Sequence, residues 1–134
     1  MSARSKARKR ALDLLYASEM RNRSTDEALD QQSETGPVND YTVVLVRGVT
    51  EHQARLDEVI AKYAQGWTLD RMPAVDRNVL RMATFEVLYV DDVPNPVAVS
   101  EALNLVRDLS TDESPAFVNG VLGNIVRDRD SLVP

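Results

Sequence analysis

The segment from Ala74 to Val90 constrains the fold most, because apolar residues cover nearly every face that a helix here would have. One face would carry Val75, Val79, Leu80, Ala83, Val87 and Leu88, and Met82, Phe85 and Tyr89 would lie beside it. A helix that is apolar on most faces is buried, or it carries a second contact surface. The other elements are therefore expected to pack around this segment.

Helical spacing also dominates the rest of the chain, and no segment shows a convincing strand alternation. We predict helices over 3–21, 24–32, 40–63, 96–109 and 115–127, with a loop at 33–39 and fraying after Arg127. Ser24 opens a capping box with Glu27, Asn39 or Asp40 caps the third helix, and Asn95 and Ser114 each cap a helix that starts with proline. The prediction is an all-α fold of six to seven helices. We expect one domain of 134 residues, built from two packed three-helix subdomains at about 1–66 and 67–130.

The composition excludes several classes of protein. The chain has no cysteine, which rules out disulfides, thiolate catalysis and cysteine-ligated zinc. The N-terminus lacks the apolar run of a signal peptide, and no window approaches the roughly 20 apolar residues of a membrane span. We expect a cytoplasmic protein without membrane attachment.

The charge is distributed unevenly along the chain. Five of the 16 basic side chains lie in the first ten residues, whereas the other 124 residues hold 11 basic and all 21 acidic side chains. This basic head comprises Arg4, Lys6, Arg8, Lys9 and Arg10. Cations are disfavoured at a helix N-terminus, so the head is either a solvated end or a segment that binds a phosphate backbone. If the head contacted about four phosphates of a single RNA strand, a plot of the logarithm of the binding constant against the logarithm of the salt concentration would have a slope near −3.

Two further positions have both a structural and a functional interpretation. In Phe117-Val118-Asn119-Gly120, Phe117 can stack on a base and Asn119 can hydrogen-bond a base edge. Gly120 has no side chain, so another backbone can approach the helix closely there. The structural alternative places Phe117 in the core and Gly120 in helix packing. Glu86 stands among apolar residues, where an unpaired carboxylate is costly. It either pairs within the fold, with Arg81 or Arg107 as candidates, or contacts a partner protein.

Catalytic interpretations find little support in the sequence. His52 is the single histidine, and its polar neighbours Glu51 and Gln53 are typical of a surface position. There is no glycine-rich phosphate loop, nucleophile elbow or metal-spaced histidine set. We therefore expect no catalytic residue, no metal and no cofactor.

Several separated pieces of the chain, in order, resemble the NusB family. They are Ala7-Arg8 with Ala11 and Leu15-Tyr16, Arg47-Gly48-Val49 with Leu56-Asp57, Ala74-Val75-Asp76-Arg77, Leu80-Arg81-Met82-Ala83, Glu86-Val87-Leu88, Pro94, Glu101-Ala102, Leu109, and Phe117-Val118-Asn119-Gly120-Val121-Leu122. A single piece would be weak evidence, whereas the ordered set covers almost the whole chain. Ser5 stands where the family often has another arginine, which predicts a weaker basic head.

The resemblance implies a transcription antitermination factor of two three-helix subdomains. It implies binding to boxA RNA of ribosomal RNA operons together with the ribosomal protein NusE, inside a complex that modifies RNA polymerase. By similarity, the five cations of the basic head would hold phosphates, with Phe117 and Asn119 near the bases. Tyr16 and Glu86 would face NusE. Some members of the family self-associate, and an exposed apolar face on the helix at 74–90 would permit a homodimer.

Two other function classes remain open at this level. One is a protein-only helical scaffold or self-associating adaptor, for which the apolar central helix is the relevant feature. The other is a fragment of an enzyme, since NusB-like domains precede the catalytic domain of certain ribosomal RNA cytosine methyltransferases. The lack of a cysteine nucleophile and of a cofactor-binding loop weighs against the enzyme.

Overall fold

Seven α-helices and a 3-10 helix make up the structure, a computed structural model that describes residues 2–134. The α-helices are α1 (Ala3–Met20), α2 (Thr25–Glu34), α3 (Asp40–Tyr63), α4 (Ala74–Tyr89), α5 (Asn95–Leu109), α6 (Ser114–Arg127) and α7 (Arg129–Leu132), with the 3-10 helix at Leu69–Arg71. No strand occurs within residues 2–134. The predicted all-α class is therefore confirmed, and the predicted helix bounds agree with the structure to within about two residues.

The central element is α4, which packs against α1, α3, α5, α6 and α7. Twelve of its 16 residues are buried, so the buried alternative for this apolar helix is the correct one. Neighbouring helices cover this helix, which leaves no exposed apolar face of the kind that would permit a homodimer. Self-association stays a prediction, and it loses the surface that supported it.

Gly48 of α3 lies directly against the Phe85 side chain of α4. A Cβ atom at this position would overlap the ring of Phe85, so only glycine leaves the space that the ring occupies. The helix itself continues without interruption from Asp40 to Tyr63. Gly48 therefore permits a tight contact between α3 and α4 and does not bend α3.

The helix N-termini agree only in part with the predicted caps. The Ser24 hydroxyl accepts a hydrogen bond from the Glu27 amide at 3.1 Å, and the Asn39 side chain accepts one from the Tyr41 amide at 2.7 Å. The predicted caps at Asn95 and Ser114 are wrong, because both residues already lie inside the first turn. The Ser114 hydroxyl instead donates to the buried carboxylate of Asp76 at 2.8 Å.

The C-terminal segment is ordered, which corrects the predicted fraying after Arg127. Leu132 is buried in the core, and Arg129 Nε donates to the Val87 carbonyl near the end of α4 at 2.9 Å. Arg55 Nη2 donates to the Leu132 carbonyl at 3.2 Å. One apolar anchor and two side-chain hydrogen bonds to backbone therefore fix α7.

The buried side chains of α1–α3 and of α4–α7 belong to one continuous core. The division into subdomains at residue 66 stays a prediction. Within residues 2–134, none of the helices combines the length and apolarity that crossing a bilayer requires.

Candidate nucleic-acid interface

The basic head occupies the first turns of α1, which runs antiparallel to α4. Near its start Arg4 contacts Asp92 beyond the end of α4, further on Arg8 contacts Glu86, and near its end Glu19 contacts Arg77. Ser2 caps the helix by accepting a hydrogen bond from the Ser5 amide at 3.0 Å. The head is thus part of a docked helix, and its five cations occupy different environments.

Arg8 is buried, which distinguishes it from the rest of the basic head. Its Nε lies 2.9 Å from Glu86 Oε2 and its Nη1 lies 3.0 Å from Glu101 Oε1. Only 4% of the Arg8 side chain and 2% of the Glu86 side chain are exposed. Arg8 therefore has no open face towards a nucleic acid, and the carboxylate of Glu86 has none towards a protein partner.

Tyr41 completes this buried cluster from α3, because its hydroxyl donates to Glu86 Oε2, the same oxygen that Arg8 Nε contacts. Burial and the hydrogen bond to Glu86 both raise the pKa of Tyr41, so it stays a protonated donor at neutral pH. Burial pulls the pKa of Arg8 down, but the hydrogen bonds and charge of Glu86 outweigh this and leave it raised. Glu86 thus pairs within the fold, although not with Arg81 or Arg107 as expected. Arg81 binds Asp57 at 2.7 Å instead, and Arg107 binds Asn104 at 3.1 Å.

Arg4 and Lys9 are exposed but paired. Arg4 Nη2 lies 3.0 Å from Asp92 Oδ2, and its guanidinium lies 4.2 Å from the centre of the Tyr41 ring. The hydrogen bond from Arg4 lowers the pKa of the Asp92 carboxyl. Lys9 Nζ lies 2.8 Å from Asp13 Oδ1 on the same helix. Exposed pairs of this kind contribute about 1 kcal/mol or less, so a phosphate can displace either carboxylate.

Lys6 and Arg10 are exposed and form no ion pair within the described residues 2–134. They stand four positions apart on α1, so their side chains emerge from the same face. Both line a cleft between α1 and the loop that joins α2 to α3. They are the two cations of the head that can bind an anion without breaking another contact.

Phe117 and Asn119 lie at the opposite end of α4 from the basic head. Phe117 lines a cleft with Asp76, ten residues before Glu86, which corresponds to about 15 Å along the helix. Phe117 is half-buried against the core, and Asn119 and Gly120 are exposed on α6. A Cβ at Gly120 would meet no atom within 4 Å, so this glycine serves no helix packing. A strand that contacts both regions has to extend across the molecule.

Sequence reasoning missed Trp67, which is 51% exposed. Its ring lies 6.1 Å from that of Phe117 between ring centres, and both rings line the same cleft. The isolated tryptophan after Gly66 was a visible signal, since a large aromatic side chain in a loop is often exposed for contact.

The other expected positions divide between surface and interior. Tyr16 is 40% exposed on α1, and Met20, one turn later, is 52% exposed. His52 is half-buried rather than on the surface, because its ring stacks on Tyr89 with 4.1 Å between ring centres. Among residues 2–134, no group of histidine and acidic side chains is placed to hold a metal ion.

Comparison with known proteins assigns this arrangement to a family. The family model described as the NusB family matches residues 5–127. The chain belongs to the NusB family. A curated transcription antitermination protein NusB from a Nocardioides species is 66% identical over 134 residues, covering 98% of this chain and 99% of the relative. The corresponding protein of Kineococcus radiotolerans is 52% identical, and 98% of each chain is covered.

Solved NusB structures share the fold over nearly the full length. NusB from T. maritima has a TM-score of 0.88 at 31% identity, with 96% of this chain and 93% of that chain covered. A chain from a crystal structure of the antitermination factors NusB and NusE in complex with dsRNA has a TM-score of 0.81 at 26% identity. That comparison covers 92% of this chain and 96% of the other. The NusB resemblance noted from the sequence is confirmed.

Proposed function

We propose that this NusB-family chain is an RNA-binding transcription antitermination factor that acts on ribosomal RNA operons. In this proposal it binds boxA RNA together with NusE in the cytoplasm and joins the complex that modifies RNA polymerase against termination. The observation that carries the proposal is the pair of exposed, unpaired cations, Lys6 and Arg10, on one face of α1. The chain is not an enzyme, since its curated relatives are transcription antitermination proteins.

The binding energy comes mainly from phosphate contacts. Each phosphate that a cation neutralises releases condensed counterions. For a single strand, each such contact therefore lowers the logarithm of the binding constant by about 0.7 for every tenfold rise in salt concentration. Lys6 and Arg10 together give a slope near −1.4. If Arg4 and Lys9 exchange their carboxylates for phosphates, the slope approaches about −2.8. Arg8 contributes nothing to the slope because it stays on Glu86.

The test is a titration of a boxA oligonucleotide with Lys6→Ala and Arg10→Ala over a series of salt concentrations. Each variant is expected to weaken binding and to flatten the slope by about 0.7. Arg21→Ala is the matched control, because Arg21 is an exposed arginine at the far end of α1. Equal effects of Arg21→Ala and Arg10→Ala would refute a defined phosphate site on the head.

For NusE, the proposal uses the exposed side chains of Tyr16 and Met20 on α1 as the contact. Glu86 acts on this surface only indirectly, by fixing α1 against α4 through Arg8. Tyr16→Ala is expected to weaken NusE binding while the salt slope for RNA alone stays unchanged.

A further inference from the structure

The cleft beside Lys6 and Arg10 has a second wall that the basic head does not explain. That wall is the α2–α3 connection with Gln32 before it, and the cleft volume is about 370 Å³. The lining residues are Lys6, Ala7, Arg10, Gln32, Thr35, Gly36, Pro37, Val38, Asn39 and Thr42. No acidic side chain is among them.

Cations line one side of the cleft, and neutral polar groups line the other. Positions four apart on a helix place their Cβ atoms about 6 Å from each other, so Lys6 and Arg10 can hold one phosphate together. Opposite them, the Asn39 oxygen is occupied by the Tyr41 amide, which leaves the Asn39 amide nitrogen to donate elsewhere. Gly36 has a φ of +148° and open space where a Cβ would be, so its backbone can approach a ligand closely.

We infer that this cleft holds one nucleotide of the bound RNA strand. Its phosphate lies between Lys6 and Arg10, and its sugar and base lie against Gln32, Thr35 and Asn39. The cleft volume is at the lower end of the range of about 300–1,000 Å³ found for small-ligand sites. The inference rests on the proposed RNA-binding function and adds to it a second wall, which gives the strand a fixed register on α1.

A pair of matched variants tests the second wall. Thr35 lines the cleft and donates its hydroxyl to the carbonyl of Gln32, three residues earlier. Ser33 lies outside the cleft and makes the same type of bond to the carbonyl of Asp30. Thr35→Glu and Ser33→Glu therefore add the same charge and remove the same type of bond to a backbone carbonyl, and only the first places the carboxylate opposite the two cations. Thr35→Glu also removes a long hydrogen bond of 3.4 Å that the Thr35 hydroxyl accepts from Gln32 Nε2.

The measurement is the affinity for a single-stranded boxA oligonucleotide, with circular dichroism to verify folding. Thr35→Glu is expected to weaken binding about tenfold, and Ser33→Glu by less than about threefold. In a protein that already carries Lys6→Ala and Arg10→Ala, Thr35→Glu should cause little further loss of affinity. Equal losses from the two glutamates, with normal wild-type binding, overturn the cleft and leave the proposed function standing. No binding by the wild type at any salt overturns both.

Competition with inorganic phosphate and with a nucleoside monophosphate separates the two halves of the cleft. Gln32→Ala should weaken competition by the nucleoside monophosphate and leave competition by phosphate unchanged, because Gln32 faces the sugar and base. If Gln32→Ala leaves both competitors unaffected, the wall makes no contact with the nucleoside and the inference is overturned.

Discussion

Replacing Arg8 with alanine distinguishes a buried structural role from a phosphate contact. The sequence placed Arg8 among the phosphate ligands, whereas the structure buries it between Glu86 and Glu101. If Arg8 positions α1, its removal costs stability and leaves the salt dependence of RNA binding unchanged. If it holds a phosphate, its removal costs little stability and flattens the salt slope.

The magnitude follows from what Arg8→Ala leaves behind. The Glu86 side chain is 2% exposed and would keep only the Tyr41 hydroxyl as a partner. Breaking a buried ion pair on one side costs about 3–5 kcal/mol, because the remaining charge is neither paired nor hydrated. A domain of this size has a free energy of unfolding of about 5–15 kcal/mol. Arg8→Ala should therefore remove a large fraction of the stability.

Urea unfolding followed by circular dichroism measures this loss, with Glu86→Ala and the double variant completing a cycle. The double variant should be more stable than the sum of the single losses predicts, by about 2–3 kcal/mol. Binding of the folded Arg8→Ala protein should keep the wild-type salt slope, while Lys6→Ala flattens it by about 0.7. A loss below about 1 kcal/mol together with a flattened slope would refute the assignment of Arg8 to positioning.

Two other predictions concern packing and acid stability. Gly48→Ala should lower the free energy of unfolding in urea by about 1–3 kcal/mol, because the added methyl group overlaps the Phe85 ring. Adding Phe85→Leu should recover part of this loss. A Gly48→Ala protein as stable as the wild type would contradict the tight contact between the helices. Hydrogen bonds from Arg127 and Tyr63 lower the pKa of Asp128 to about 2. The resulting stabilisation is present above the unfolded pKa of about 3.9 and disappears as the pH falls towards 2. Asp128→Asn should remove this pH dependence. An NMR titration of the Asp128 carboxyl in the wild type with a midpoint near 4 would contradict the lowered pKa.

The helices could be predicted because their spacing and several of their caps are local properties. Asn39, Ser24 and the apolar run of α4 each act within a few residues, and the structure agrees with all three. The cap expected at Asn95 failed because α5 already begins at that residue. The cap expected at Ser114 failed because its hydroxyl binds the buried Asp76 carboxylate 38 residues away. A pattern within one turn carries no information about that contact.

For the basic head too, local sequence patterns predict which side chain is buried but not which distant residue it contacts. Arg8 stands three and four residues before Ala11 and Leu12, so helical spacing alone would have placed it on the buried stripe. Its partner Glu86 is 78 residues away, and local spacing cannot identify such a partner. Helical spacing therefore sets Arg8 apart from the other four cations, but it cannot show which carboxylate each cation contacts.

The pairing of Arg4, Arg8 and Lys9 with carboxylates of the same chain has a consequence for selectivity. A tail with five free cations would adhere to any polyanion, including the large excess of unrelated transcripts and chromosomal DNA in a cell. With internal counter-charges on three of the five, indiscriminate adhesion is weaker than it would be for five free cations. Discrimination between transcripts then depends on contacts other than charge.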